Sequence, residues 1–241
     1  MARIYTSQTL IAGQTLELEP GPSRHLASAL RLEAGDSFIL FNGDGGEYAA
    51  TIDLLQKKSV TAVLGERIEN SVESPLSIRL GIALSKGDRF DWVIQKATEL
   101  GVASISPLFT ERTEVKLKGE RIDKKLKHWR QIAISACEQC GRNRLPEIQS
   151  PQNIANWCTG ELPEKRYVLH HRHNQQLEGN AAAPEQLALL IGPEGGLSVA
   201  EIELAESLQF TALSLGPRVL RTETAPIAAI AILQAQWGDM C

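Results

Sequence analysis

Leu190-Ile-Gly-Pro-Glu-Gly-Gly-Leu-Ser-Val-Ala-Glu201 reads as an apolar strand, a glycine-bearing turn and the start of a helix. A second segment, Leu213-Ser-Leu-Gly-Pro-Arg-Val-Leu-Arg-Thr-Glu-Thr-Ala-Pro226, repeats that order. Glycine frees the backbone to turn and lets a ligand approach it closely. The helix after each turn presents N–H groups with no partner of their own. Two such turns on neighbouring strand ends of one sheet form a crevice lined by backbone amides. Open α/β sheets bind nucleotide-like ligands at such places. Read alone, Gly192-Pro-Glu-Gly-Gly196 is equally a tight strand-to-helix turn, since one glycine turn is a weak signal.

Strands and helices alternate around these segments. Ser77 to Leu84 and Val102 to Phe109 are apolar strands, and Tyr167 to His170, Leu187 to Ile191 and Thr211 to Leu215 come after them. Asp88 to Leu100 places Phe90, Val93, Ile94, Ala97 and Leu100 at helical spacing, with Gly101 as its stop. Arg121 to Cys140 carries a stripe of Ile122, Leu126, Trp129, Ile132, Ala133, Ala136, Cys137 and Cys140, ended by Gly141. Ser198 and Glu201 form a capping box for a helix from Val199 to about Leu208. A last helix runs from about Ala225 to Trp237, with Pro226 in its first turn, where a missing N–H costs little. This alternation predicts a largely parallel sheet covered by helices, an α/β fold.

Residues 1 to about 70 read differently. Short apolar runs at Ile4-Tyr5, Thr15 to Leu18, Ser37 to Phe41, Tyr48 to Ile52 and Val60 to Leu64 are separated by turn signals such as Pro20-Gly21-Pro22 and Asn42-Gly-Asp-Gly-Gly46. One helix, Ser23 to Leu32, interrupts them, with Leu26, Ala29 and Leu30 on one face. The product is a small β-barrel near the lower size limit for independent folding. Glu69 to Pro75 is polar and ends in proline, which marks a linker. The expected domains are therefore 1–70 and 75–241.

Composition sets bounds. Hydrophobic content of 43% over 241 residues is enough to build a core. No apolar run reaches membrane-spanning length, and the N-terminus lacks a signal-peptide apolar region, so the cytoplasm is the expected location. A net charge of −4 excludes a uniformly basic polyanion binder but leaves room for a basic patch. Glu111 to Arg130 holds eight Lys or Arg against four acids. That run is either a track for RNA backbone or a solvated helix face. Cys137-x-x-Cys140 falls on the apolar stripe with no second pair, so no metal is expected there.

Six signatures stand in order along the chain. Arg24-His-Leu…Leu30-Arg-Leu-Glu-Ala-Gly-Asp36 comes first, then Lys86-Gly-Asp-Arg-Phe-Asp-Trp-Val-Ile-Gln-Lys-Ala-Thr-Glu-Leu-Gly101. Glu111-Arg-Thr-Glu-Val115, Glu138-Gln-Cys-Gly-Arg-Asn-Arg144, Ile191 to Gly196 and Leu215 to Ala225 complete the set. Across nearly the whole chain this order resembles the RsmE-type ribosomal RNA methyltransferases, which methylate N3 of a uridine in small-subunit (16S) rRNA with S-adenosylmethionine.

The resemblance implies a PUA-like N-terminal barrel that helps hold RNA and a C-terminal SPOUT domain with a trefoil knot. It also implies a homodimer whose active sites lie at the subunit interface. Periodicity alone gives no hint of a knot. The implied cofactor contacts are Leu169, His170, Gly192, Glu194, Gly195, Leu215, Gly216, Leu220 and Ala225. Glu194 and Glu223 are carboxylates placed to favour a sulfonium cation or to orient loops, or else to cap a turn or pair with Arg218 or Arg221. Glu223 is the first candidate for a general base and Glu138 the second, with Arg221 stabilising the anionic base or a phosphate.

Arg24, Arg31, Arg142, Asn143, Arg144 and Arg218 are the implied RNA contacts, because arginine matches phosphate in two-pronged geometry. His171 or His173 could also touch RNA. Two other readings stand beside this one. The first is a non-catalytic rRNA-binding or assembly factor with a vestigial pocket. The second is a sister SPOUT activity on tRNA or on a ribose 2′-hydroxyl.

Overall fold

The structure is a computed structural model that describes residues 1–56, 59–69, 72–170 and 182–240. The chain divides into two compact units. One comprises Met1–Glu73 with Ile134–Leu145, and the other Ser74–Ala133 with Pro146–Cys241.

In the first unit, β1 (Arg3–Tyr5), β2 (Thr15–Glu17), β3 (Ser37–Phe41), β4 (Glu47–Leu55) and β5 (Val60–Ile68) form a mixed sheet in the order β1-β3-β4-β5-β2. Only β1 and β3 run parallel. The inward positions alternate along β4, where Tyr48, Ala50 and Ile52 are buried and Ala49, Thr51 and Asp53 are not. That period of two builds a core with Ile4, Phe38, Leu40, Val60, Ala62 and Leu64. Helix α1 (Pro20–Arg24) begins earlier than the sequence predicts. It runs straight into a π-helical turn, His25–Ala29, in which Leu30 N–H donates to His25 O at 3.0 Å. The wider turn shifts the helical phase. Leu26 alone of the predicted face is buried, and Leu30 is 39% exposed.

The second unit is built on a parallel sheet in the order β12-β10-β11-β6-β7-β8, with short β9 also paired to β7. Its strands are β6 (Ser77–Ala83), β7 (Ser104–Phe109), β8 (Glu147–Ile148), β9 (Gln152–Asn153), β10 (Lys165–Leu169), β11 (Gln186–Ile191) and β12 (Thr211–Leu213). Its helices are α2 (Arg89–Glu99), α4 (Ile154–Cys158), α5 (Val199–Ser207) and α6 (Thr224–Trp237). A long helix, α3 (Glu120–Cys140), starts in this unit and ends in the other.

Strand β11 is buried from Leu187 to Ile191, as a central parallel strand must be when helices cover both faces. On one face, α2 inserts Phe90, Val93, Ile94 and Ala97, α3 adds Trp129 and Ala133, and α6 adds Ala229, Ile230, Leu233 and Trp237. On the other, Trp157 of α4 packs with Ala205 and Phe210 against Val168, Ala188 and Leu190. Gly81 of β6 makes room for that indole: a Cβ there would sit 2.6 Å from the Trp157 ring. No helix is long and apolar enough to cross a membrane among the described residues.

Candidate active site at the strand ends

Strands β10, β11 and β12 are neighbours in parallel register, with Leu169 opposite both Ile191 and Leu213. Their C-terminal ends therefore open at one edge of the sheet. His170 N–H donates to Leu213 O at 3.3 Å and holds two of these ends together.

After β11 the chain turns tightly. Gly196 N–H donates to Pro193 O at 2.8 Å, and Gly196 adopts φ +69°, a conformation that favours glycine. A Cβ on Gly192 would meet Leu197 N at 2.9 Å, so the turn closes only around a bare α-carbon. The capping box fixes the first turn of α5. Ser198 Oγ accepts from Glu201 N–H, and Glu201 Oε2 accepts from Ser198 N–H at 2.8 Å. The other oxygen of this buried carboxylate accepts Glu111 N–H at 2.7 Å, which ties the Glu111–Val115 segment to the same turn. The second loop turns at Gly216, φ +96°. Arg221 O then accepts from Thr224 N–H at 3.0 Å and Ala225 N–H at 2.9 Å, handing the chain to α6.

Between the two turns lies a cavity of about 240 Å³. Leu169, His170, Gly192, Glu194, Gly195, Leu215, Gly216, Leu220 and Ala225 all line it, so the structure brings together every residue the resemblance implied for the cofactor. Ile191, Ile202 and Leu213 add apolar wall, and Arg218 also lines it. Branched apolar side chains beside backbone N–H and C=O groups suit a flat heterocycle and a ribose. The donor set thus fits S-adenosylmethionine.

Two arginines to which the sequence assigned no role frame this cavity. Arg112 Nη1 donates to Gly195 O at 2.7 Å, and its stem lies 3.3 Å from where a Gly195 Cβ would be. Arg89, in the first turn of α2, places Nη1 3.0 Å from Glu194 Oε1 and Nε 3.9 Å from Glu223 Oε2. Thr222 Oγ1 also donates to Glu223 Oε2, at 3.2 Å. One cation thereby links carboxylates from both glycine-bearing loops. Both arginines stand inside signatures visible in the sequence, Lys86 to Gly101 and Glu111 to Val115, but tertiary contacts alone reveal their partners. Arg221 is exposed and does not line the cavity.

The remaining expected site residues belong to the first unit. Glu138 accepts Tyr5 N–H at 3.0 Å, and burial pushes its carboxyl above the usual range. It does not line the cavity. Arg142 and Asn143 require a correction. They are 4% and 1% exposed, not displayed on a loop surface. Arg142 Nη2 and Nε lie 2.7 and 3.0 Å from Glu73 Oε2. Asn143 Nδ2 donates to Glu47 Oε2 at 3.1 Å while its Oδ1 accepts from Arg3. Both side chains are committed inside the unit and position the backbone around Arg144, whose N–H donates to Glu73 Oε1 at 3.2 Å. Arg24, Arg31 and Arg144 are exposed. His171 and His173 lie outside the described residues.

Comparison with known proteins agrees with this geometry. Residues 72–234 match the family model for the RNA methyltransferase domain, and residues 23–65 match the RNA methyltransferase PUA domain. The ribosomal RNA small subunit methyltransferase E of Buchnera aphidicola (Schizaphis graminum) is 36% identical over 99% of this chain and 97% of its own. A methyltransferase structure from Legionella pneumophila, solved with bound S-adenosylmethionine, is 44% identical with a TM-score of 0.95, covering 99% of this chain and 98% of that one. The Neisseria gonorrhoeae ribosomal RNA small subunit methyltransferase E, also bound to S-adenosylmethionine, is 36% identical with a TM-score of 0.93 over the full length of both. With the domain matches, the full-length relatives and the cavity in agreement, the chain belongs to the ribosomal RNA small subunit methyltransferase E family.

Proposed function

We propose that this enzyme transfers the methyl group of S-adenosylmethionine to N3 of a uridine in 16S rRNA, within the small ribosomal subunit and in the cytoplasm. The observation that carries the reading is the cavity at the ends of β10, β11 and β12, walled by both glycine-bearing loops. In this reading residues 1–70 form a PUA-like barrel that helps hold RNA, and residues 75–241 form a knotted SPOUT domain. The functional species is a homodimer. Arg24, Arg31, Arg144 and Arg218 meet the RNA backbone.

Bound S-adenosylmethionine supplies an electrophilic methyl group whose C–S electrons stay on sulfur after transfer. The residues of this chain do the rest. Leu169, Leu215 and Leu220 hold the adenosine portion, and the turn at Gly192 to Gly196 brings backbone groups against it. Uridine N3 is a weak acid, so its proton must leave as the nitrogen attacks. Glu223 accepts that proton, and Arg221 offsets negative charge on the base or a phosphate. Holding the base beside the bound cofactor would supply proximity.

The test is methyl transfer from labelled S-adenosylmethionine to small ribosomal subunits lacking their uridine methylation, with the product nucleoside identified by mass. Label in 3-methyluridine is the expected result. Label in another nucleoside would move the activity to a sister reaction. Subunit binding without label would favour the assembly-factor reading.

A further inference from the structure

Beside the cofactor cavity lies a second hollow, lined by Lys86, Gly87, Asp88, Arg89, Trp92 and Glu223. Side-chain contact and chain adjacency link the two. Arg89 lines the second and pairs with Glu194, which lines the first. Glu223 lines the second, and the adjacent Thr222 lines the first.

The aromatic in this hollow is unlike the chain's other indoles. Trp129, Trp157 and Trp237 are 1%, 5% and 8% exposed, whereas Trp92 is 41% exposed. It stands one turn along α2 from Asp88, whose C=O accepts Trp92 N–H at 2.9 Å. A partly exposed indole beside two cations and two carboxylates has the parts a pyrimidine ring requires. Aromatic faces stack bases whatever their sequence, while N–H donors and acceptors read the edge.

We propose that this hollow seats the target uracil, with Trp92 stacking on its face, Arg89 or Lys86 donating to its carbonyl oxygens, and Glu223 facing N3–H. The proposal rests on the uridine reading above and deepens it, because it says where the base sits. Lys86 is ion-paired with Glu114 and Arg89 with Glu194 and Glu223, through side chains that are 26–69% exposed. Such pairs hold little energy in water, so an incoming carbonyl can take a donor from them. Arg89 then has two tasks: it positions Glu223 beside the cofactor loop, and it marks the edge of the base. Asp88 is a second carboxylate in the hollow and the residue preceding α2. Its conversion to Asn separates it from Glu223 as proton acceptor.

The experiment uses the full chain with W92A and W92F. Steady-state methyl transfer to unmethylated small subunits should show KM for the subunit raised about ten- to hundredfold in W92A and near normal in W92F. S-Adenosylmethionine affinity should be unchanged in both. Acrylamide quenching gives a readout independent of activity, since Trp92 is the exposed indole. A uridine hexanucleotide should protect it in the wild type, and the quenchable component should vanish in W92F.

An unchanged KM in W92A overturns the proposal. So does a W92A protein whose sedimentation shows a lost dimer while KM per dimer is normal, because Trp92 would then be a subunit contact. If the wild type makes no 3-methyluridine, the uridine reading has failed on its own. Protection by the hexanucleotide then still supports a pyrimidine seat, and its absence overturns one.

Discussion

Glu223 sits where two demands meet. Thr222 and Arg89 both hold its carboxylate, at 3.2 and 3.9 Å, so it is oriented from two sides. Conversion to Gln keeps the shape and removes the basicity. E223Q should lower kcat by about 10²–10⁴-fold, the usual size of a general-base contribution, with S-adenosylmethionine affinity intact. Unchanged turnover would remove it as the base.

Glu138 offers a contrasting test. Burial raises its carboxyl above the ordinary value of 4.5, against the opposing pull of Tyr5 N–H and His25. The native state therefore keeps a proton that the unfolded chain has already released. Its contribution to stability is complete below about 4.5 and declines as pH rises through the native value. Glu19 runs the other way, since its hydrogen bond from Ser7 lowers its carboxyl. The comparison of E138Q with wild type isolates the first effect. E138Q should gain stability relative to wild type as pH rises from about 4 to about 7 in urea titrations. A constant difference between the two would remove the buried carboxyl as the cause.

Residue types were legible in the sequence further than residue environments were. Arg142 and Asn143 come after a helix stop, which reads as an accessible loop, but Glu73 and Glu47 draw both inward from distant parts of the chain. No local pattern encodes such a pairing. Arg89 was equally hidden, because its partner Glu194 lies 105 residues away in sequence.

At the level of elements, local rules carried most of the fold. Helix α2 matches its predicted span to within a residue at each end, since Phe90, Val93, Ile94 and Ala97 keep strict helical spacing. The strands flanking the glycine turns were marked by apolar runs too short for helices. What escaped was short or irregular. Helix α4 has five residues and owes its place to Trp157 filling the space above Gly81. The π-turn at His25–Ala29 breaks the period on which any helical reading relies.

The capping box at Ser198 and Glu201 was legible, and its wider role emerged only in three dimensions, where Glu201 also accepts Glu111 N–H. S198A should cost about 1 kcal/mol in stability, as N-cap losses do. It should also weaken S-adenosylmethionine binding, because the cap fixes the turn that forms one wall of the cavity. Calorimetric titration of the variant checks this. Unaltered affinity would mean the turn holds its shape without the cap.

On the scale of the whole molecule, the division into two units makes a ligand effect separable. The cofactor cavity belongs wholly to the second unit, and so do Trp92, Trp129, Trp157 and Trp237. Tyr5 and Tyr48 belong to the first. Tryptophan fluorescence therefore reports the unfolding of the unit that binds S-adenosylmethionine. Mass action stabilises a native state by about 2.7 kcal/mol when free ligand stands at about a hundredfold Kd. The tryptophan-detected urea midpoint should rise accordingly, with an unchanged slope, because the surface exposed on unfolding is the same. Helix α3 begins in the ligand-binding unit and ends in the other, so a covalent helical segment is common to both. If the two units unfold together, circular dichroism and fluorescence will shift by the same amount. If they unfold separately, circular dichroism will split into two steps, and only the step coincident with fluorescence will move. A fluorescence midpoint indifferent to saturating S-adenosylmethionine would count against the cavity itself, whatever the units do.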